Sequence, residues 1–383
     1  MRRRAYDGRV TSLSDLPIRD DLRGREPYGA PQKHVRVELN VNENTHPIPD
    51  DVQADVLGRL AKAIAGANRY PDREFVELRE ALAGYLGHGL SRDNLWAANG
   101  SNEILQQLLQ AFGGPGRTVL GFAPTYSMYP LLASGTGTAW VAGDRDADYE
   151  LSAGRAAEWV RRTQPDVVIL CSPNNPTGTP LSLDVIEAVY AEAQGVVVVD
   201  EAYAEFFPAG QPSALTLLPG RERLVISRTM SKAFAYAGVR LGYLAADPAI
   251  TDALRLVRLP YHLSALTQAA ALGALAHSRE MLAMVDEIKV QRDRIVDGLN
   301  ALGFRAYRTW SNFVLFDGVA DPREVFDELL AEGIIIREMG IPNSLRVSAG
   351  TEAETGEFLD AMARYVERHG SPRTASPERA PVG

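Results

Sequence analysis

The sequence predicts an α/β protein, and three observations lead to that class. Residues 167–171 (V-V-I-L-C), 196–200 (V-V-V-V-D) and 224–226 (L-V-I) are short apolar runs rich in β-branched residues. Such unbroken runs are what strands buried on both faces produce, as in a parallel sheet. Other stretches carry helical spacing instead, as with Val52, Val56, Leu57, Leu60 and Ile64. Each apolar run also ends in polar residues: S-P-N-N-P-T-G after the first, Asp200 and Tyr203 at and after the second, T-M-S-K soon after the third. Ligands of open α/β sheets bind outside the carboxyl ends of the strands. The chemistry is therefore expected at these three ends.

Composition narrows the classes. At 383 residues, 45% hydrophobic and 23% charged, the chain is long enough for two or three domains with a sizeable core. A net charge of −9 argues against a nucleic-acid or anionic-membrane surface, while leaving room for local anion sites. The one cysteine, Cys171, lies inside an apolar run, cannot pair within the chain, and reads as a small buried hydrophobe. The opening M-R-R-R resembles the start of a signal peptide, but no apolar segment follows, and none later reaches 18 residues. The cytoplasm is the expected compartment. The six histidines (34, 46, 88, 262, 277 and 369) show no ligand spacing, so no metal site is expected.

In chain order, residues 1–38 are charged and turn-rich, with P-Y-G-A-P at 27–31, and read as an extended arm. L-N-V-N-E-N-T-H-P at 39–47 places three asparagines at alternate positions, as an asparagine-rich turn or a functional loop. Residues 50–65 form a helix with an aspartate start, the segment around Tyr70 breaks it, and 74–86 form a second amphipathic helix. A-N-G-S-N-E then opens an apolar-periodic helix. Gly100, Ser101 and Asn102 there are either an ordinary cap or a set of backbone N–H groups for an anion. No nucleotide-loop pattern occurs. After a strand at 118–121 come Tyr126 and Tyr129, either of which can stack on a flat ring or simply pack. Helices are expected at 249–259, to Ala276, and at 281–302, the last marking a domain boundary. Beyond it come 312–316, 326–330, 334–336 and 345–348, short strands alternating with a helix, with Arg337 and Arg346 flanking apolar runs. Residues 371–383 have the composition of a disordered tail.

The segment 225–243 gathers the most chemistry. Lys232 has Thr229, Ser231, Ala233 and Phe234 for neighbours, where a surface lysine usually has charges. A lysine in a partly apolar pocket loses its proton more readily and becomes a nucleophilic amine, suited to Schiff-base chemistry with a carbonyl. Thr229 and Ser231 offer hydroxyls, and Arg240 offers a planar fork to a phosphate. A lysine in a plain strand-to-helix loop is the alternative.

The ordered set of Asn175, then Asp200 and Tyr203, then Thr229, Ser231, Lys232 and Arg240 resembles the aminotransferases of the pyridoxal-phosphate fold that includes aspartate aminotransferase. Within that fold it is similar to the histidinol-phosphate aminotransferase family, from about residue 12 to about residue 368. The resemblance implies a large domain with a mixed, mostly parallel sheet flanked by helices (fold type I), and a smaller α+β domain. The divisions it implies are an arm at 1–47, a cofactor-binding domain at 48–278, a small domain at 279–370 and a tail at 371–383.

It also implies pyridoxal 5'-phosphate as cofactor, with Lys232 as its covalent partner and proton carrier. Asp200 would sit on the ring nitrogen, Asn175 and Tyr203 on the phenolic oxygen, and Tyr126 against the ring. Ser101, Asn102, Thr229, Ser231 and Arg240 would hold the phosphate. Tyr70, otherwise a turn aromatic, would reach the phosphate of a neighbouring subunit, making the active sites of a homodimer shared. On the substrate side stand Arg346, Arg337, Tyr28 and Asn44; strand-end ion pairs for the arginines and a packed arm aromatic for Tyr28 are the plainer readings. Thr45 stands where the family usually has proline, a change that bears on loop stiffness. The implied reaction transfers an amino group between histidinol phosphate and 2-oxoglutarate. Related aminotransferases of aromatic amino acids, a threonine-phosphate decarboxylase and a non-catalytic regulator on the same fold remain open. Against the regulator, Lys232 is retained and the 38-residue arm is too short for a DNA-binding domain.

Overall fold

The computed structural model describes residues 12–24, 29 and 32–372, and the chain divides into two compact units, residues 1–32 and 33–383. Tyr28 and residues 373–383 of the expected tail lie outside the described residues. The first unit contains two single 3-10 turns, Leu13–Asp15 and Asp20–Leu22, with Arg19 paired to Asp21 and Arg23 to Asp20.

The second unit opens with strand β1 (Val37–Glu38) and helices α1 (Asp50–Ala65) and α2 (Val76–Leu86). Then follow β2 (Leu95–Ala98), α3 (Ser101–Phe112), β3 (Thr118–Ala123), α4 (Met128–Thr136), β4 (Ala139–Asp144) and α5 (Ala153–Thr163). Next come β5 (Val167–Cys171), α6 (Leu183–Glu192), β6 (Val196–Asp200), β7 (Leu224–Thr229) and β8 (Gly242–Ala246). Helices α7 (Pro248–Val257), α8 (Ala265–Ala276) and the 24-residue α9 (Ser278–Ala301) lead into β9 (Arg305–Ala306) and β10 (Phe313–Asp317). The chain closes with α10 (Pro322–Ala331), β11 (Ile334–Ile335), β12 (Arg337–Glu338), β13 (Ser344–Ser348) and α11 (Glu352–His369).

Seven strands form one sheet in the order β2-β8-β7-β6-β5-β3-β4. β8 alone runs antiparallel to its neighbours, so the sheet is mixed and mostly parallel, as expected. Every residue of β5, β6 and β7 is buried, which is why β5, the valines of β6 and the first half of β7 are apolar, while Asp200, Ser227, Arg228 and Thr229 are the buried polar residues at the ends of β6 and β7. The carboxyl ends of β2, β3, β5, β6 and β7 share one edge, and antiparallel β8 brings its first residue, Gly242, to the same edge opposite Ala98 and Thr229.

A second, four-stranded antiparallel sheet has the order β12-β13-β10-β9. β1 pairs in parallel with β11, and the chain after it continues against β13, with Leu39 N–H on Ile335 O (2.9 Å) and Ser348 N–H on Leu39 O (2.9 Å). That extension carries Asn40, Asn42 and Asn44 towards the main sheet's edge. Side chains cap the later helices: Asp247 before α7, Asp321 before α10, and a reciprocal Thr351–Glu354 box before α11. Among the described residues no helix is long and apolar enough to cross a membrane.

Candidate active site

Lys232 lies in the turn that leaves β7, held by Met230 N–H on Leu241 O (3.0 Å) and Tyr236 N–H on Met230 O (3.0 Å). Met230, Ala233 and Phe234 around it are fully buried. Its Nζ donates to Val41 O at 3.1 Å. Burial lowers its pKa to about 8; the positive charges of Arg346 and Arg240 act in the same sense, and Glu43 opposes them. About a tenth of such amines is free at pH 7, against roughly one in three thousand at the ordinary value.

Asp200 closes β6 and is 3% exposed. Its Oδ2 accepts the Tyr129 hydroxyl at 2.8 Å, while Oδ1 is buried with no hydrogen-bond partner. Burial raises its carboxyl to about 6, partly offset by the Tyr129 hydrogen bond. A buried carboxylate with one open oxygen is a receptor for a cationic N–H.

Beside it, the Tyr203 hydroxyl accepts from Asn42 Nδ2 (2.9 Å) and from Asn175 Nδ2 (3.5 Å), and its ring meets Phe313 edge-on. Burial raises its pKa, so the phenol stays neutral. Asn175 Oδ1 in turn accepts from Arg346 Nη1 (2.6 Å), and Arg346 Nη2 donates to Asn40 O (2.9 Å). Arg346, on β13, is buried over the face of Phe313 and stands directly opposite Arg337 in the β12–β13 register. Like charges in such a pair repel, and Arg337 Nη1 is buried without a partner, so this corner is prepared for an anion.

At the other end of the site, α3 starts at Ser101 with no side-chain cap. Its first helical bonds run from Glu103 and Ile104 N–H to Gly100 O, leaving the Ser101 and Asn102 N–H groups ahead of them. Asn102 Oδ1 is buried and unpartnered. Arg240, in a left-handed conformation (φ 62°), donates to Ser231 Oγ (3.4 Å) and Ala237 O (3.1 Å). Thr229 Oγ1 donates to Ser231 Oγ at 3.0 Å. Two glycines make the close approach possible. A Cβ on Gly100 (φ 84°) would meet Arg240 Nη2 at 2.5 Å, and one on Gly242 would collide with Ser101 N. Hydroxyls, a guanidinium and a helix N-terminus thus converge, the donor set of a phosphate site.

The structure therefore joins Asn175, Tyr203 and Arg346 by hydrogen bonds, with Lys232 bonded to Val41 O and within the electrostatic reach of Arg346, and with Ser101, Asn102, Thr229, Ser231 and Arg240 at the β2–β8–β7 corner. Tyr126 lies against Tyr129, ring centroids 5.4 Å apart and nearly perpendicular. Asn44 turns to the backbone, donating to Ala233 O (3.3 Å) beside Lys232 and accepting from His46 N–H (3.0 Å). Tyr70 is 79% exposed and stacks on Tyr261 at 4.4 Å. Two participants were not singled out from the sequence: Asn42, left-handed at φ 57° and tied to Ser348 Oγ, reaches Tyr203, and Asn40 supplies a carbonyl to Arg346. Tyr129, read as a stacking or packing aromatic, instead donates to Asp200. Their signals were present in the alternate spacing of asparagines 40, 42 and 44 and in the three-residue spacing of Tyr126 and Tyr129.

The chain is similar to known proteins in sequence and fold. The family model for aminotransferase class I and II matches residues 35–362. The histidinol-phosphate aminotransferase of Paenarthrobacter aurescens is 64% identical over 93% of this chain and 96% of its own length. That of Thermobifida fusca is 56% identical over 93% and 97%. Among solved structures, the histidinol-phosphate aminotransferase of Sinorhizobium meliloti in complex with pyridoxal-5'-phosphate superposes with a TM-score of 0.80 at 25% identity, covering 87% of this chain and 92% of that one. Aspartate aminotransferase of Thermus thermophilus with maleate gives 0.74 at 25% identity, over 86% and 91%. The ordered polar strand ends, the fold that aligns them and these identities lead to one conclusion: the chain belongs to the class I and II aminotransferases, within the histidinol-phosphate aminotransferase family.

Proposed function

We propose that the protein is a pyridoxal-phosphate-dependent aminotransferase that converts L-histidinol phosphate and 2-oxoglutarate to imidazole-acetol phosphate and L-glutamate, a step of histidine biosynthesis. The observation that carries the reading is a pair at one sheet edge: an amine that loses its proton easily, Lys232, and a buried carboxylate with one open oxygen, Asp200. The residues fit the cofactor, since Asp200 Oδ1 lacks a partner and the Gly100–Gly242 approach forms a cradle that a Cβ would fill.

Bound pyridoxal phosphate supplies an electron sink for the substrate carbon that bears the amino group. Asp200 would hold the ring nitrogen in its cationic form, and Tyr203 with Asn175 would donate to the phenolic oxygen. Tyr126 would offer an aromatic face to the ring. Thr229, Ser231, Arg240 and the Ser101 and Asn102 N–H groups would hold the phosphate. Lys232 would be the covalent anchor of the cofactor, and its Nζ, when free, would take and return the proton at the amine-bearing carbon.

One site must accept glutamate, with an α-carboxylate, and an amino alcohol that ends in a phosphate. Arginine forks suit both anions, so Arg346 is assigned to the carboxylate and Arg337, with Tyr28 and Asn44, to the substrate side. We place the cofactor in a domain spanning 48–278 and these arginines in one spanning 279–370. The working unit is a homodimer in the cytoplasm, with Tyr70 serving the partner's phosphate. Four exposed apolar residues, Leu57 and Ile64 on α1, Leu256 on α7 and Leu259 after it, support a surface that a second copy covers.

The test is kcat/KM with 2-oxoglutarate for histidinol phosphate, phenylalanine and tyrosine, with threonine phosphate assayed for decarboxylation. Histidinol phosphate is expected to win by a wide margin, and Tyr28→Phe to weaken it selectively. An aromatic amino acid or threonine phosphate winning overturns the substrate assignment.

A further inference from the structure

Tyr129 stands on the first turn of α4, fully buried, and its hydroxyl donates to Asp200 Oδ2 while Cys171 lies within hydrogen-bond reach of it. The Ala202 backbone N–H also acts on this carboxylate, but Tyr129 is its strongest donor. A donor fixed on one oxygen sets the plane of the group and therefore where the other oxygen lies. The oxygen left over, Oδ1, is the one without a partner. The packing of Tyr129 against Tyr126 fixes the donor in turn. We propose that Tyr129 is a positioning residue of this enzyme: by donating to Oδ2 it holds Asp200 ionised and turned so that Oδ1 meets the cofactor's ring nitrogen. The proposal rests on the assignment of Asp200 made above.

The charged and titratable groups around Asp200 leave Tyr129 as the dominant favourable influence. Cys171 faces Asp200 across the β5–β6 register, but burial pushes its thiol up to about 12, so it carries no charge at neutral pH. Glu201, next in the chain, disfavours the ionised form, yet its own charge is committed to Arg228 at 2.8 Å. Arg145, beyond β4, lies near Tyr129 and Cys171, but its donors go to the carbonyls of Phe122 and Tyr149. From β7 the residue in register is Ser227, which does not titrate. Tyr129 itself has a strongly raised pKa and remains the donor throughout. With this bond the carboxyl sits near 6, about nine-tenths ionised at pH 7. Loss of a hydrogen bond to a charged group moves such a carboxyl by about one to two pH units, which leaves half or less of it ionised at pH 7.

Tyr129→Phe removes one oxygen and keeps the ring. In the full-length, cofactor-free chain with carbon-13-labelled aspartate carboxyls, the Asp200 resonance is identified by its loss in Asp200→Asn and followed with pH. Its midpoint is expected to rise by about one to two units in Tyr129→Phe. A fluorinated tyrosine placed at position 129, a stronger donor, is expected to lower it, and provides the readout if the phenylalanine variant folds poorly. Pyridoxal phosphate affinity is then measured as a cycle. Tyr129→Phe should weaken it about tenfold in the natural chain and leave it unchanged in the Asp200→Asn background. An unmoved Asp200 midpoint, or equal losses in both backgrounds, overturns the positioning role. Asp200→Asn binding the cofactor as tightly as the natural chain instead overturns the underlying assignment of Asp200.

Discussion

Replacing Asp200 by asparagine separates what the carboxylate contributes to chemistry from what it does to stability. In the cofactor-free protein, burial raises this carboxyl from its ordinary 3.8 to about 6, even with the Tyr129 hydrogen bond in place. Between those values the folded chain holds the proton more tightly than the unfolded chain. The associated stability is therefore present below about pH 4 and is lost as pH rises through 6. A gap of about two units corresponds to roughly 3 kcal/mol at pH 7 and above. Asparagine keeps the shape, still accepts the Tyr129 hydroxyl, and never ionises. The cofactor-free Asp200→Asn chain should thus exceed the natural one in stability by about 3 kcal/mol at pH 8, with the margin closing towards pH 4. Urea unfolding at fixed protein concentration, repeated across that range, reads it directly. Saturating pyridoxal phosphate should reverse the order, because only the natural chain has a carboxylate for the ring nitrogen, and turnover of the variant should be severely reduced. A variant that is less stable at pH 8, or a margin that does not change with pH, would refute the reasoning.

Lys232→Ala should lower turnover by at least about a thousandfold, since the proposed function makes Lys232 both the covalent partner and the proton carrier. Borohydride treatment of the natural protein should fix the cofactor to Lys232, and peptide mass mapping that finds it on another lysine removes the assignment. Gly242→Ala places a methyl group against Ser101 N and the Gly100 backbone, so the start of α3 must move. The dissociation constant for pyridoxal phosphate should rise about tenfold or more, measured by titration of its absorbance, with helix content unchanged. Mixing inactive Tyr70→Ala and Lys232→Ala chains should restore activity through hybrids with one intact site; no recovery under proven subunit exchange argues against sharing.

What the sequence made legible was whatever depends on neighbours in the chain. β5, the valines of β6 and the start of β7 stood out because burial on both faces favours unbroken apolar runs there. The helix at Asp50–Ala65 was visible through one apolar stripe and an acidic first turn. The second helix, expected from 74, begins at 76: Asp72 accepts the N–H groups of Glu74 and Val76, and Phe75 adopts φ 39°, outside helical geometry. What stayed hidden depends on distant pairing. β1 is two residues long and exists through β11, nearly three hundred positions away, so the extended-arm reading of 1–38 missed it. Asn42 reaches Tyr203 across a separation of 161 residues, and only the fold shows that it, and not Asn44, touches that hydroxyl.

The same distinction explains how an acidic chain carries a cationic site. The net charge of −9 excludes broad anion binding, yet Lys232, Arg240, Arg337 and Arg346 gather where the two sheets approach. Arg346 donates to the neutral oxygens of Asn175 and Asn40, which fix the plane of its guanidinium. The positive charges of Arg346 and Arg240 disfavour the protonated form of Lys232, the group best able to relieve their repulsion. A lysine sheds its proton where an arginine does not. Burial does most to free the Lys232 amine, and Arg346 and Arg240, which the proposed function assigns to a carboxylate and a phosphate, act in the same sense. Substrate charge and amine reactivity are two consequences of one electrostatic arrangement, and a substitution at Arg346 or Arg240 acts on both.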